Sequence, residues 1–199
     1  MSLAVTDPIV WSLFALKTAA GACGLIGTEA LIARSLRPTR RLVLCLGLFL
    51  GIGLYASLFS LATPVLVIAG TGWLRTVFVV SGLTAGTASL IVGNHRRDPR
   101  GTFEKLDRLE LILDWFIVVE LAALTGFSLS MRGTAGIAFQ RWPGMLIPLF
   151  VVPVGLVLPL VQQNADGRRG RLDAALFVLF GEFVLCVALV GMPLSLGLR

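Results

Sequence analysis

The stretch "LILDWFIVVELAALTGF", residues Leu111–Phe127, is apolar except for Asp114, Glu120, Thr125 and Gly126. This density is typical of a helix dissolved in lipid, because a transmembrane helix needs about 20 mostly apolar residues. At about 100° per residue, the two carboxylates lie roughly 120° apart around the helix and do not share a face. Asp114 is near one end of the segment, where snorkelling explains it. Glu120 is near the centre and requires another explanation.

The composition of the whole chain favours the same class of protein. Its 199 residues are 56% hydrophobic and 14% charged, with a mean hydropathy of +0.90, whereas soluble domains have about 25% charged residues. We predict a single all-α domain over residues 1–199, a polytopic integral membrane helical bundle with six transmembrane helices. The predicted spans are 9–33, 42–63, 72–93, 109–129, 144–162 and 172–195.

Lys and Arg residues concentrate in alternate loops. The basic clusters follow the first, third and fifth spans, at residues 34–41, 96–108 and 168–171. By the positive-inside rule these loops are cytoplasmic, so both termini are predicted outside and the protein in the cell inner (plasma) membrane as a multi-pass chain. Trp11, Trp73 and Trp142 fall at predicted outer ends of spans, which suits an amphipathic indole. The loops account for the net charge of +6 without nucleic acid, and they predict contact with membrane lipid.

Metal and haem ligands are scarce in the sequence. The only histidine is His95 in a predicted loop, whereas a membrane cytochrome of the b type needs paired axial ligands. Cys23, Cys45 and Cys186 are widely spaced within spans and form no cluster-binding motif. We therefore predict no metal site and no covalently bound cofactor.

Small residues and prolines mark particular spans. The GxxxG pairs Gly47/Gly51 and Gly82/Gly86 predict close helix packing, as does the row Gly21, Gly24 and Gly27 in the first span. The fifth span contains three prolines, at positions 148, 153 and 159, and each removes a backbone donor and favours a kink.

Three charged side chains are predicted deep in the bilayer. Glu120 and Glu182 lie near the centres of the fourth and sixth spans, and Lys17 is the basic residue within reach of that depth. A charge at the bilayer centre costs at least about 2.5–3.5 kcal/mol, so these groups are expected to be neutral, paired or beside a wet cavity. We expect a network of Lys17 with one or both glutamates. It either fixes helix packing as an ion-pair network or transfers protons.

The sequence also resembles a known family, from Leu54 onward. "LYASLFSLATPVLVIAGTGWLRTVFVVSGLTAGTASLIV", residues 54–92, is similar to the stretch of the NrfD-like polysulfide reductase membrane-subunit family in which a YTG-type helix leads into an "FLxSGLxxGxA" helix. "LDRLELILDWFIVVELAAL" resembles the next family helix, with Glu120 at the position of its membrane-embedded glutamate. "LFVLFGEFVLCVALVG" resembles the last one. This chain looks like a shortened six-helix member, since the family usually has eight helices.

The resemblance implies the quinone-interacting integral membrane subunit of a respiratory oxidoreductase complex. Such a subunit exchanges electrons between an iron–sulfur partner and the quinone pool, so iron–sulfur clusters are expected only in partner subunits and quinone is the substrate. Tyr55 and Glu120 are the implied quinone-binding residues. Lys17 and Glu182 are additions of this chain, since Glu182 stands where the family has a small residue.

Partner subunits are expected at the cytoplasmic loop 94–110. In "RRDPRGTFEKLDRLE", Phe103, Leu106 and Leu109 recur at helical spacing among charges, so the fourth helix is predicted to project beyond the membrane with an amphipathic start. The expected partners are iron–sulfur and molybdopterin-type oxidoreductase subunits. A solvated loop attracted to anionic lipid is the alternative.

Two other classes of function remain open from the sequence. The intramembrane Lys17, Glu120 and Glu182 also suit a small proton-coupled membrane transporter. A non-catalytic membrane scaffold subunit, in which the charges only support assembly, is the third class.

Overall fold

The described part of the chain is helical throughout. A computed structural model describes residues 8–32, 72–97, 103–130, 142, 144–163 and 167–195, and these contain helices and turns without a strand. We label the helices in chain order. They are α1 (Pro8–Ile32), α2 (Gly72–Arg97), α3 (Phe103–Ser130), α4 (a π-helix, Ile147–Val157, continued by an α-helix, Leu158–Gln163) and α5 (Gly167–Ser195).

Three of these helices are long and apolar enough to cross a membrane. Their apolar segments are Thr76–His95 in α2, Arg108–Ser130 in α3 and Gly170–Leu189 in α5. Shorter apolar segments, Val10–Ile26 and Ile147–Gln162, lie in α1 and α4. The all-helical membrane class predicted from the sequence is confirmed at this level. The predicted span 42–63, with Tyr55, lies outside the described residues.

Helix boundaries follow the predicted spans closely. The main differences are that α3 begins at Phe103 and α5 at Gly167, both earlier than the apolar runs begin. The early start of α3 confirms the predicted helical extension ahead of the fourth span. An apolar run marks where a helix enters lipid, whereas the helix itself continues into polar sequence as long as its backbone hydrogen bonds can form.

Helices α2 and α5 form the centre of the bundle and α3 lies at its edge. In α2 and α5, 61% of the apolar segment is buried, whereas only 33% of that of α3 is. The outer face of α3 exposes large apolar side chains at helical spacing, namely Leu111, Trp115, Val118, Val119 and Leu129. This face is suited to contact with lipid, because burial against other helices is absent along it in the described structure.

Helices α1 and α2 cross at almost backbone contact. A Cβ on Gly21 would overlap the carbonyl oxygen of Gly82, and one on Gly86 would overlap the backbone of Ala22. The predicted packing roles of Gly21 and of the Gly82/Gly86 pair are thus confirmed. Lys17 lies against Gly82 and Ala22 against Gly86, so the two helices run in the same direction.

Helix α4 owes its π-helical part to proline. Pro153 has no backbone N–H to donate, so it removes a bond from the ladder. The N–H of Leu158 donates to the carbonyl of Pro153, five residues earlier, which is the π-helical spacing. Gly155 in this wider part meets Gly181 of α5, where an added Cβ would lie 2.7 Å from the Gly181 Cα.

Candidate functional site

The candidate site is a cluster of buried charged and hydroxyl side chains contributed by α1, α2, α3 and α5. Lys17 of α1 is 2% exposed and forms an ion pair with the Oε2 of Glu182 of α5, which is 1% exposed. The Lys17 ammonium also donates to the Glu182 backbone carbonyl at 3.2 Å. The ammonium is therefore held by both the side chain and the backbone of one residue.

Ser81 of α2 completes the coordination of the lysine. The Lys17 Nζ donates to the Ser81 Oγ at 2.6 Å, and the Ser81 hydroxyl donates to the same Glu182 oxygen that receives the ammonium. Each of the three groups thus contacts the other two. All three ammonium protons have an acceptor, as a buried lysine requires.

Glu120 of α3 lies beside this ion pair but is bonded differently. Its side chain is fully buried, and both of its oxygens lack a formed hydrogen bond with any residue that the structure describes. Glu182, Lys17 and Thr84 are near enough to interact with it electrostatically. The Thr84 hydroxyl donates to the Val80 carbonyl at 3.0 Å within its own helix. Glu120 is therefore a buried carboxyl group with the Glu182 and Thr84 side chains as polar neighbours, but without a hydrogen bond of good geometry to either of them.

The crossing of α1 and α2 places Lys17 at Ser81. A Cβ on Gly82 would lie 3.3 Å from the Lys17 carbonyl oxygen, so the backbone of α1 passes directly over that glycine. Ser81 precedes Gly82, and the short distance between the helix axes brings its small side chain to the lysine. The glycines thus define the position of the site as well as the packing of the helices.

Aromatic rings cover the lysine between α1 and α5. Phe183, the neighbour of Glu182, stacks in a tilted geometry on Trp11 at 4.5 Å between centroids and meets Phe14 edge-on at 5.6 Å. The Lys17 Nζ is 6.0 Å from the Phe14 ring centroid, at the limit of a cation–π contact. Lys17 itself is only 2% exposed, so its ion pair lies in a medium of lower dielectric constant than water.

The three predicted site residues that the structure describes meet in it. Lys17, Glu120 and Glu182 come together, although their role as proton carriers stays a prediction. Tyr55, the other predicted quinone contact, lies outside the described residues. The described ranges hold no group of three or more His, Cys, Asp or Glu side chains that could bind a metal ion.

Sequence reasoning did not assign a role to three further members of the site. Ser81 and Thr84 are buried hydroxyls on α2, and Cys186, one turn after Glu182, is buried beside the three charged groups. A signal for Ser81 exists, since it directly precedes a glycine of the GxxxG pair that brings another helix close. The thiol of Cys186 looks like any other small buried residue in the sequence.

An apolar groove is lined in part by Leu121, the residue that follows Glu120 in the sequence. It has a volume of about 480 Å³ and lies between α3 and α4. Its lining includes Leu121, Leu124, Thr125 and Ser128 of α3, and Ile147 and Val152 of α4. Thr125 and Ser128 donate to carbonyls of their own helix at 2.7 and 2.8 Å, so the groove presents a mostly apolar surface to a ligand.

A second ion pair joins α3 and α5 away from the cluster. The Arg171 guanidinium lies 3.2 Å from the Glu110 Oε2. Glu110 is at the end of the predicted docking loop 94–110. The prediction of a loop is wrong for residues 94–97 and 103–110, which the structure describes as the end of α2 and the start of α3, because helical hydrogen bonding continues into the polar sequence. This pair fixes the start of α3 against α5.

Comparisons with known proteins found no match: no family model, no curated protein and no solved structure matches this chain.

Proposed function

We propose that this chain is the quinone-linked membrane subunit of a respiratory oxidoreductase, in which membrane-embedded carboxylates transfer protons to or from quinone. The observation that carries the proposal is the cluster of Lys17, Glu120 and Glu182, buried in the centre of an apolar helical bundle. Charged side chains inside the membrane raise the free energy of insertion. A buried cluster of them is therefore a candidate functional site by default in a membrane protein.

Quinone handling is supported by the position of the groove between α3 and α4. Leu121, the residue after Glu120, is one of its walls, and its volume is within the range of roughly 300–1,000 Å³ of small-molecule sites. An isoprenoid tail in the groove would bring a quinone head group toward Glu120. The resemblance to the NrfD-like family supports the same assignment for Glu120 and adds Tyr55.

In the proposed topology, the chain crosses the inner (plasma) membrane six times and both termini lie outside. Helices α1 and α2 run in the same direction. A chain that crosses the bilayer twice in one direction must cross back between those two helices, which supports a span at 42–63. The alternating basic loops support the orientation.

The proposed partners are iron–sulfur and molybdopterin-type subunits on the cytoplasmic side, at the loop 94–110. This segment comprises the last turn of α2, which ends at Arg97, and the helical extension of α3, which begins at Phe103. Electrons would come from or pass to the clusters of these partners, and this chain would supply the quinone site and the proton path. Purification from native membranes in mild detergent, with mass spectrometry of co-purifying subunits and extraction of quinone, tests this composition.

The decisive variant is Glu120→Gln, which keeps the shape of the side chain and removes its ability to exchange a proton. Quinone-dependent turnover of the complex should fall at least tenfold, while the complex still assembles. Asp173→Asn is the matched control, since Asp173 is an exposed carboxylate on α5. Full turnover in Glu120→Gln with an intact complex would contradict the proposal.

A proton-coupled transporter is the second candidate, and the π-helical part of α4 favours it. An irregular helix frees backbone carbonyls within the membrane, and many transporters place substrate sites at such helices. In this case the chain would purify alone and without quinone, and Glu120→Gln would abolish proton flux coupled to a substrate.

A further inference from the structure

The buried cluster contains unequal numbers of positive and negative groups. Lys17 contributes one cation, and Glu120 and Glu182 contribute two carboxyl groups, all of them at most 2% exposed. If both carboxyl groups were ionised, a net charge of −1 would remain in the apolar centre of the bundle. An uncompensated buried charge is strongly unfavourable, and binding a single cation removes it.

The two glutamates differ in how they are held. One oxygen of Glu182 accepts hydrogen bonds from both the Lys17 ammonium and the Ser81 hydroxyl. Glu120 receives no formed hydrogen bond from the residues of the described helices. Donors stabilise an ionised carboxylate, and a carboxyl group without donors is better accommodated when it is neutral. The negative charge therefore belongs on Glu182.

We propose that the cluster is a binding site for one proton, which Glu120 carries and can exchange, while Glu182 remains the fixed counter-ion of Lys17. This proton site is a part of the proposed proton-transfer function, and the transfer of its proton to quinone rests on that function. The occupancy of the proton site can be measured on the purified chain alone. The proton-site proposal can therefore be tested independently of any oxidoreductase partner.

The groups that face Glu120 are compatible with a proton as the ligand. They are Lys17 from α1, Thr84 from α2, and Glu182 and the Cys186 thiol from α5. Thr84 already donates to its own helix, and Lys17 already has three acceptors. A proton on Glu120 can be shared with the unbonded Oε1 of Glu182, which the ion pair leaves free of hydrogen bonds among the described residues.

Charge balance makes a numerical prediction for a series of variants. The number of protonated carboxyl groups in the cluster should equal the number of glutamates minus the number of lysines. It should be one in the wild type, none in Glu120→Gln, none in Glu182→Gln and two in Lys17→Met. In Glu182→Gln, the proton leaves Glu120 because that residue becomes the counter-ion of Lys17.

Infrared spectroscopy of the purified chain at neutral pH counts these groups directly, because a protonated carboxyl has a C=O stretching band that a carboxylate lacks. The band should be present in the wild type and in the exposed-carboxylate control Asp173→Asn, and absent in Glu120→Gln. Glu120→Gln is nearly isosteric and suffices by itself if Lys17→Met fails to fold. A band that persists in folded Glu120→Gln would overturn the proposal.

A hydrophobic carbodiimide identifies which glutamate carries the proton, since it reacts with protonated carboxyl groups in membranes. Peptide mass spectrometry should find the label on Glu120 and not on Glu182, with less label as the pH rises. Label on Glu182 alone would overturn the assignment. Sodium chloride that protects Glu120 at constant pH and constant ionic strength would show that the ligand is a metal cation, and would overturn it equally.

Discussion

Lys17 and Glu182 are 165 positions apart in the sequence and form a fully buried ion pair between α1 and α5. The pair is bridged by Ser81 of α2 and neighboured by Glu120 of α3, so one polar centre connects four helices. This centre stabilises the bundle only if each buried charge has a partner, because an unpaired buried ion is strongly destabilising.

Removing the ammonium should destabilise the bundle. Breaking one side of a buried pair typically costs about 3–5 kcal/mol. Protonation of Glu182 offsets part of that cost here, so we expect Lys17→Met to lower the unfolding free energy by about 2–4 kcal/mol in a detergent denaturation series. The double variant Lys17→Met/Glu182→Gln should be less destabilised than the sum of the two single variants. Additive effects would mean that the two side chains do not interact.

The bridging hydroxyl of Ser81 should contribute measurably to stability. Ser81→Ala removes one acceptor of Lys17 and one donor to Glu182, and should cost about 1–2 kcal/mol. Ser89→Ala is the matched control on the same helix, since its hydroxyl donates only to the Gly86 carbonyl, at 2.7 Å, in the described structure. Equal thermal stabilities of the two variants would contradict a bridging role.

The crossing of α1 and α2 should not tolerate a methyl group. Gly21→Ala would bring the new Cβ into the Gly82 carbonyl, so the helices must separate, at a cost of about 1–3 kcal/mol. At Gly93, on the same α2, no heavy atom of the described residues lies within 4 Å of an added Cβ. Gly93→Ala should therefore be neutral or stabilising by up to about 1 kcal/mol. Thermal unfolding in detergent compares the two, and a reversed order would refute this account of the crossing.

If the groove between α3 and α4 is the proposed quinone site, filling it should reduce quinone binding without disturbing the bundle. Thr125 lines the groove and is exposed, so Thr125→Trp should block it and weaken quinone retention at least tenfold. Ala122 is exposed on the same helix outside the groove, and Ala122→Trp serves as the control. Extraction and quantification of bound quinone gives the readout. Equal retention by both variants would contradict the groove as the proposed quinone site.

Much of the fold follows from the sequence because lipid imposes simple requirements on a chain. The long apolar runs predicted helices that the structure contains. The positions of Lys17, Glu120 and Glu182 within those runs predicted that the three side chains lie at similar depth in the membrane. The rotation of each helix about its axis is set by contacts that the sequence does not specify. For this reason the bridging role of Ser81 and the different environments of the two glutamates became visible only in the structure.

The glycines illustrate the same limit. The GxxxG spacing of Gly82 and Gly86 predicted a close crossing, and a close crossing is found. Gly155 and Gly181 form an equally close contact between α4 and α5. Neither belongs to such a motif, because a contact between two single glycines on different helices leaves no periodic signal within either one.

The distance along the chain between Lys17 and Glu182 has a consequence for biosynthesis. At roughly 5–20 residues per second, α1 leaves the ribosome about 8–33 s before its counter-ion has been made. During that interval Lys17 has no carboxylate partner. The free energy of an unpaired ammonium near the middle of a single helix in lipid is unfavourable. We expect α1 to stay beside the insertion machinery until α5 arrives, so that release into the bilayer is the last step of assembly.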